Sequence, residues 1–328
     1  MRSLVVSGLL TVSLAAAVAT PAFAARAGFN GQITFDRVDP ATGNRAVFTA
    51  NPDGSSARLV VPANPVSCCA DFSPDGSRLV VPYPTADGRI GTAILNADGT
   101  GYTPFPIPDP TLNVGCGTGS WSPDAKRLAC ESFDNTNPAR DGIYTISSVD
   151  GSDLTPLTKS GGFDDQPGSY SPDGKRLVFG RFDWNGVGLG LFVINTDGTH
   201  PRRITPRGTI IQGGNDGDWS PRGNEIIFSR HATPDVFGSI WIIHANGTGL
   251  HEIHIQGLDC GGSFSDPNGV GCHGVRWSPD GQKIIFAAGT SATGVNIYTA
   301  NADGTGLIQV TFDGLDDDPA WGTHRALG

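Results

Sequence analysis

Short apolar runs alternate with polar positions along most of the chain. Arg78-Leu-Val-Val81, Arg176-Leu-Val-Phe179, Glu225-Ile-Ile-Phe228 and Lys283-Ile-Ile-Phe286 each open on a charge and continue in Val, Ile, Leu or Phe. A second set reads Gly142-Ile-Tyr-Thr-Ile146, Leu191-Phe-Val-Ile194, Ile240-Trp-Ile-Ile243 and Asn296-Ile-Tyr-Thr299. Runs this short, rich in β-branched and aromatic residues, predict half-buried strands. Asp-Gly or Asn-Gly follows the second set at Asp150-Gly151, Asp197-Gly198, Asn246-Gly247 and Asp303-Gly304, a strong hairpin signal. The pattern is all-β.

The runs are phased by a repeat. Ser-Pro-Asp-Gly, entered from an aromatic residue, occurs at Phe72–Gly76, Tyr170–Gly174 and Trp277–Gly281, with variants at Trp121–Ala125 and Trp219–Gly223. A sixth aromatic, Trp321, follows Asp-Pro-Ala without the turn. The first four anchors are 49 residues apart and the later gaps are 58 and 44. Pro presets φ for a type I turn, Asp tolerates the next position, and Gly takes the left-handed conformation that follows. Each tetrapeptide is therefore a hairpin turn, and the repeat contains four strands, A to D in chain order. That unit is the blade of a β-propeller.

The strand census predicts six blades. The chain enters in mid-blade, with Gln32-Ile-Thr-Phe35 at strand B and Ala46-Val-Phe48 at strand C. It finishes on a lone strand A around Asp318-Pro-Ala-Trp321. Pairing that last strand with the first three completes the sixth blade and removes exposed sheet edges.

These motifs resemble the Pro-Asp repeats of TolB-type β-propellers, relatives of the WD-repeat propellers, over roughly residues 29 to 322. The resemblance implies the fold and says little about activity, because propellers host many unrelated functions. The α/β domain that precedes the propeller in TolB is not expected here. Nor is a hydrolase domain expected after Trp321, such as the one dipeptidyl-peptidase-like enzymes carry. An isolated propeller over residues 25 to 328 is expected.

Residues 1 to 24 read as a secretory signal peptide: Arg2, an apolar stretch from Leu4 to Ala19, and Ala22-Phe-Ala24 as the cleavage motif. The expected location is secreted or periplasmic, with no membrane insertion after cleavage. The formal charge of −10 becomes −11 once Arg2 leaves with the leader, and no basic stripe is present. That balance disfavours nucleic acid and anionic membrane as partners. A ring that covers its own edges is expected to act as a monomer.

Six cysteines in an exported chain suggest disulfides. Cys260 and Cys272 bracket the insertion that lengthens the fifth period, and a bridge there would staple a long loop. Cys116 precedes a strand A whose partner strand carries Cys130, which sets up a second pair. Cys68 and Cys69 are adjacent, and one of them reaching Cys116 on the next blade is the alternative. Cys130 also shares its register with Phe179, Phe228 and Phe286, as a reduced core residue would.

Strand direction places the A–B and C–D turns on one face of the ring. These turns are stereotyped. The B–C and D–A connections, which hold the variation, lie on the other face: Pro106 to Gly119, Glu131 to Gly142, Phe182 to Gly190, Arg230 to Gly238 and Gln256 to Gly274. Function favours long loops on a rigid scaffold, so the varied face is the candidate. An acid-rich group precedes each strand A anchor, including Asp71, Asp164, Asp165, Asp216, Asp218 and Asp316 to Asp318. Converging carboxylates suit a hard cation, which makes Asp165, Asp216 and Asp317 candidate ligands for Ca²⁺ or a cationic partner. The plainer role for these groups is to accept backbone N–H bonds in their own loops.

Trp184, in a glycine-rich B–C loop, is a candidate partner contact or a packing residue. His273, beside Cys272 at the channel mouth, is the histidine best placed for chemistry. No Gly-x-Ser-x-Gly elbow, phosphate loop or Cys-x-x-Cys pair occurs. The expectation is a non-catalytic scaffold that binds a protein or cell-envelope component. The alternative is a lyase or hydrolase acting on polysaccharide or peptide from the acidic channel mouth.

Overall fold

A computed structural model describes residues 29–324, apart from 108, 118, 184, 212–216, 232–237, 263–265 and 267. The stretch read as a leader therefore lies outside the described residues. The described chain forms six antiparallel sheets arranged as a closed ring, each running from an inner strand A to an outer strand D. Blade 1 combines Asp316–His324 as A with Phe29–Val38, Arg45–Ala50 and Arg58–Asn64. Blades 2, 3 and 4 follow in order over residues 71–104, 112–156 and 164–203. Blade 5 spans 210–252 and blade 6 spans 271–309. Blade 5 has its strand A in two short pieces, Ile210–Ile211 and Asp218–Trp219, both paired with Glu225–His231.

The turn chemistry recurs as the repeat requires. In blade 2 the Gly76 amide donates to Ser73 O, the Arg78 amide donates to Ser73 Oγ, and the Asp75 carboxylate accepts from the Ser77 amide. Blades 3, 4 and 6 repeat this set at Ser122, Ser171 and Ser278. Ala125 stands where the other turns have glycine and is held at φ +57°. Asp-Gly hairpins, or Asn246-Gly247 in blade 5, close the C–D connections at the same end of each blade.

Strand B aromatics pack against strand C aromatics within a blade. Phe35 stacks on Phe48, Phe179 on Phe192 and Phe286 on Tyr298. Five anchor aromatics are buried, with Trp219 only 4% exposed, and Trp321 on the closing strand is half-buried. Arginines from the preceding blade lie over two of them, Arg78 on Trp121 and Arg176 on Trp219. These contacts are favourable because the ring face carries negative charge density.

Closure follows the anticipated pairing, with Ile33 opposite Trp321 and Thr34 opposite Ala320. Ion pairs reinforce the seam: Arg37 grips Asp316 through two bonds of 2.6 and 2.9 Å, and Arg45 pairs with Asp317 at 3.1 Å. The Ser-Pro turn of blade 2 also touches the closing strand, since Thr323 Oγ1 donates to Pro74 O.

Three disulfides are present: Cys116–Cys130, Cys260–Cys272 and Cys68–Cys69. The first two are the pairs the spacing suggested, and the last rules out the alternative reach from Cys68 or Cys69 to Cys116, because the adjacent cysteines bond to each other. Cys69 sits at φ +57° and its amide donates to Asp36 Oδ2 at 2.8 Å, which holds the dipeptide in a tight turn. Cys130 is both a disulfide partner and a fully buried core residue opposite Tyr144.

Gly76 provides a direct probe of the seam. Its φ is +70°, and an added Cβ would fall on the carbonyl oxygen of Thr323; Gly88, at φ +82°, has open space around it. Alanine costs about 1–2 kcal/mol at either site from the left-handed conformation alone. Gly76→Ala is expected to lose about 2 kcal/mol more than Gly88→Ala in urea denaturation, from overpacking. Equal losses would show that the turn does not bear on the closing strand.

Candidate functional site

The inner strands surround a channel that widens at both faces. At the stereotyped face a cavity of ≈ 230 Å³ is rimmed by the anchor aromatics of all six blades and by the Ser-Pro turns of blades 2 to 6. At the varied face a chamber of ≈ 320 Å³ is walled by residues of blades 2, 3 and 4 and the segment leading from blade 1. Arg276 borders both spaces and so marks the waist between them. A third space, ≈ 520 Å³, opens beside the seam and is lined by Arg45, the Cys68–Cys69 turn, His273, Asp317 and Asp318.

The acid-rich group does not gather at one point. Asp71 Oδ2 accepts the Gly119 amide of blade 3, and Asp218 Oδ2 accepts the Trp277 amide of blade 6. Each carboxylate thus fastens the next blade. Burial raises the pKa of both, and Asp71 reaches about 7 despite the opposing charge of Arg276. Asp165 is fully occupied by Arg181 through bonds of 2.6 and 2.9 Å, the counterpart in blade 4 of Arg37 and Asp316. Asp317 stands across the ring in blade 1, so the structure does not bring Asp165 and Asp317 together around a shared cation. Asp216 and Trp184 lie outside the described residues.

His273 is joined to the seam: its Nε2 lies 2.8 Å from Asp317 Oδ1. Burial works against a charged imidazole, but the hydrogen bond and charge of Asp317 prevail, and the pKa is raised. Burial likewise works against the Asp317 carboxylate, yet His273 and Arg45 hold it at about 2. Its neighbour Asp318 is pushed up to about 6 by burial and by the charge of Asp317. The arrangement is a charged strut between blades 6 and 1.

Sequence reasoning passed over Arg276 and Glu131. Both were visible as exceptions in register. The residue before each anchor is Asp71, Ser120, Ser169, Asp218 or Ala320 in five blades and Arg276 in the sixth. Position by position, Glu131 and Asp36 occupy the strand B site that holds Pro82, Gly180, Ser229 or Ala287 elsewhere. Glu131 borders the varied-face chamber, and burial with the nearby charge of Asp164 pushes its pKa to about 8. Asp36 is 1% exposed, and its Oδ1 finds no hydrogen-bond partner among the described residues.

No protein-family model matches the chain. Among solved structures it is similar to TolB from Acinetobacter baumannii, at 21% identity and a TM-score of 0.67, over 90% of this chain and 67% of that one. The ring has the TolB-type propeller fold. A putative TolB from Agrobacterium tumefaciens aligns at 17% identity and a TM-score of 0.60, over 90% of this chain and 91% of that one. Puromycin hydrolase aligns at 15% identity and a TM-score of 0.56, and the match spans 89% of this chain but 48% of that enzyme. Identities this low speak to fold alone.

The strut gives a signed pH dependence. A folded pKa raised above the ordinary histidine value contributes stability below about pH 6.5, lost as pH rises through the raised value. The Asp317 contribution is present above about pH 4 and is lost as pH falls toward its depressed value. His273→Asn is therefore expected to lower Tm most near about pH 5.5, with the gap to wild type narrowing by about pH 9. A gap independent of pH would remove the charged pair.

Proposed function

We propose that the chain is an exported, non-catalytic propeller that binds a protein or cell-envelope component through its varied face. The observation that carries this reading is the ≈ 320 Å³ chamber on that face, built from several blades over a disulfide-fixed wall. Concave sites with apolar walls and few convergent polar groups are the usual form of a binding pocket. Three disulfides fit a protein matured in an oxidising compartment, in keeping with the leader-like first residues. Asp71, Asp165, Asp218 and Asp316 are engaged by arginines or backbone amides, which suits scaffolding better than proton transfer.

A second reading is an enzyme acting on polysaccharide or peptide, and the His273–Asp317 pair beside the ≈ 520 Å³ space favours it. Its test is direct: a detected turnover that survives substitution of both His273 and Asp216 removes the channel mouth as its catalytic site.

The binding reading is tested by capture from envelope extract. Phe133 borders the chamber, Trp184 belongs to the varied B–C loops, and Tyr102 is a 42% exposed aromatic near the C–D turn of blade 2. Capture is expected to fall in a Phe133→Ala/Trp184→Ala double variant and to persist in Tyr102→Ala. Loss through Tyr102 with the double variant unaffected would place the working surface on the opposite face.

A further inference from the structure

We propose that the varied-face chamber holds a small carboxylate with an apolar body, its carboxylate seated on Arg276. The proposal deepens the binding reading and rests on it for the choice of face.

Arg276 is only 5% exposed, and its Nε and Nη1 find no hydrogen-bond partner among the described residues. Its nearest described acid, Asp218 Oδ1, lies 3.9 Å from Nη1, beyond hydrogen-bond reach. The other Asp218 oxygen is committed to the Trp277 amide, as Asp71 Oδ2 is to the Gly119 amide. By contrast, Arg37 and Arg181 each grip a carboxylate through two bonds. Arg276 is thus a buried fork with donors to spare.

Buried donors left bare are costly and call for an acceptor, from water or a ligand. Water needs several polar partners, and much of this chamber is apolar. Val66, Pro82, Ile90, Phe133 and the Cys68–Cys69 turn line it. A guanidinium fork matches a carboxylate through two parallel bonds, and the apolar wall matches whatever the carboxylate carries. Glu131, the acid on the same wall, is predominantly neutral at pH 7 because burial pushes it up to about 8. It therefore does not repel an anion and can donate a hydrogen bond. The shared ligand chemistry is a carboxylate on a short apolar group, whether a free acid or the terminal residue of a peptide.

The test titrates the full mature chain by calorimetry with 3-phenylpropionate, its amide, and Gly-Gly-Phe with a free or amidated carboxyl. Saturable binding of a carboxylate and none of its amide is expected. Arg276→Gln should weaken that binding about tenfold or more, the loss of a charge-assisted pair. Binding of phenylpropionate alone identifies a free acid, and binding of Gly-Gly-Phe alone identifies a chain end. Should Arg276→Gln fail to fold, Phe133→Trp, which narrows the chamber, is expected to weaken the same binding. The proposal falls if no carboxylate binds wild type, if amides bind equally, or if chloride alone competes. Envelope capture by wild type that binds no carboxylate would sink the chamber ligand and leave the binding reading standing.

Discussion

The antiparallel pairing of the last described strand with the first is the constraint on which the ring depends. Four-stranded sheets placed side by side leave two terminal blades whose inner faces need a partner. Pairing residues 316–324 with residues 29–38 supplies it, and no blade is left with an unmatched flank. The pairing also assembles contacts between residues far apart in sequence. His273 meets Asp317, and Asp36 holds the Cys69 amide. Both contacts border a space on the varied face or the seam, so the geometry of the candidate site is inherited from closure.

Charge is distributed in the ring with a consistent logic. Carboxylates near the axis accept amide protons from the following blade or are gripped by arginines on their own sheet. Both arrangements offset part of the cost of burial, which still raises Asp71, Asp218 and Asp316 above the ordinary carboxylate value. Arg276 breaks the pattern by placing a cation where four of the other blades have a small or acidic residue and blade 1 has Ala320. It faces Asp71 and Asp218 without a full hydrogen-bonded partnership with either. The interior of the channel is therefore electrostatically unfinished at that point, and there an outside group has most to gain.

Much of the fold was legible because local rules and global rules agreed. Ser-Pro-Asp-Gly specifies one turn, Asp-Gly another, and the apolar runs between them have strand period; the mid-blade entry at Ile33 and the lone Trp321 implied the closing pair. The chemistry was harder to see. Asp165 and Asp317 looked like convergent ligands because both lie just upstream of a strand A anchor, but those anchors belong to blades 4 and 1, which stand apart around the ring. Cys116–Cys130 and Cys260–Cys272 formed as the spacing suggested, whereas the bond between adjacent Cys68 and Cys69 was not anticipated; it accompanies a left-handed Cys69. Arg276 and Glu131 carried a signal only as departures from register, which becomes visible when the blades are superposed position by position.

The exchange of the amide hydrogens in residues 316–324 measures closure most directly. In a shut ring these amides are as protected as those of the inner strand Asp164–Tyr170, since both are bonded within a buried sheet. Slow exchange, matching that strand, is the expected result. Exchange at the rate of a free tail, with the other inner strands still protected, would mean that the ring is open and that the seam does not hold the site.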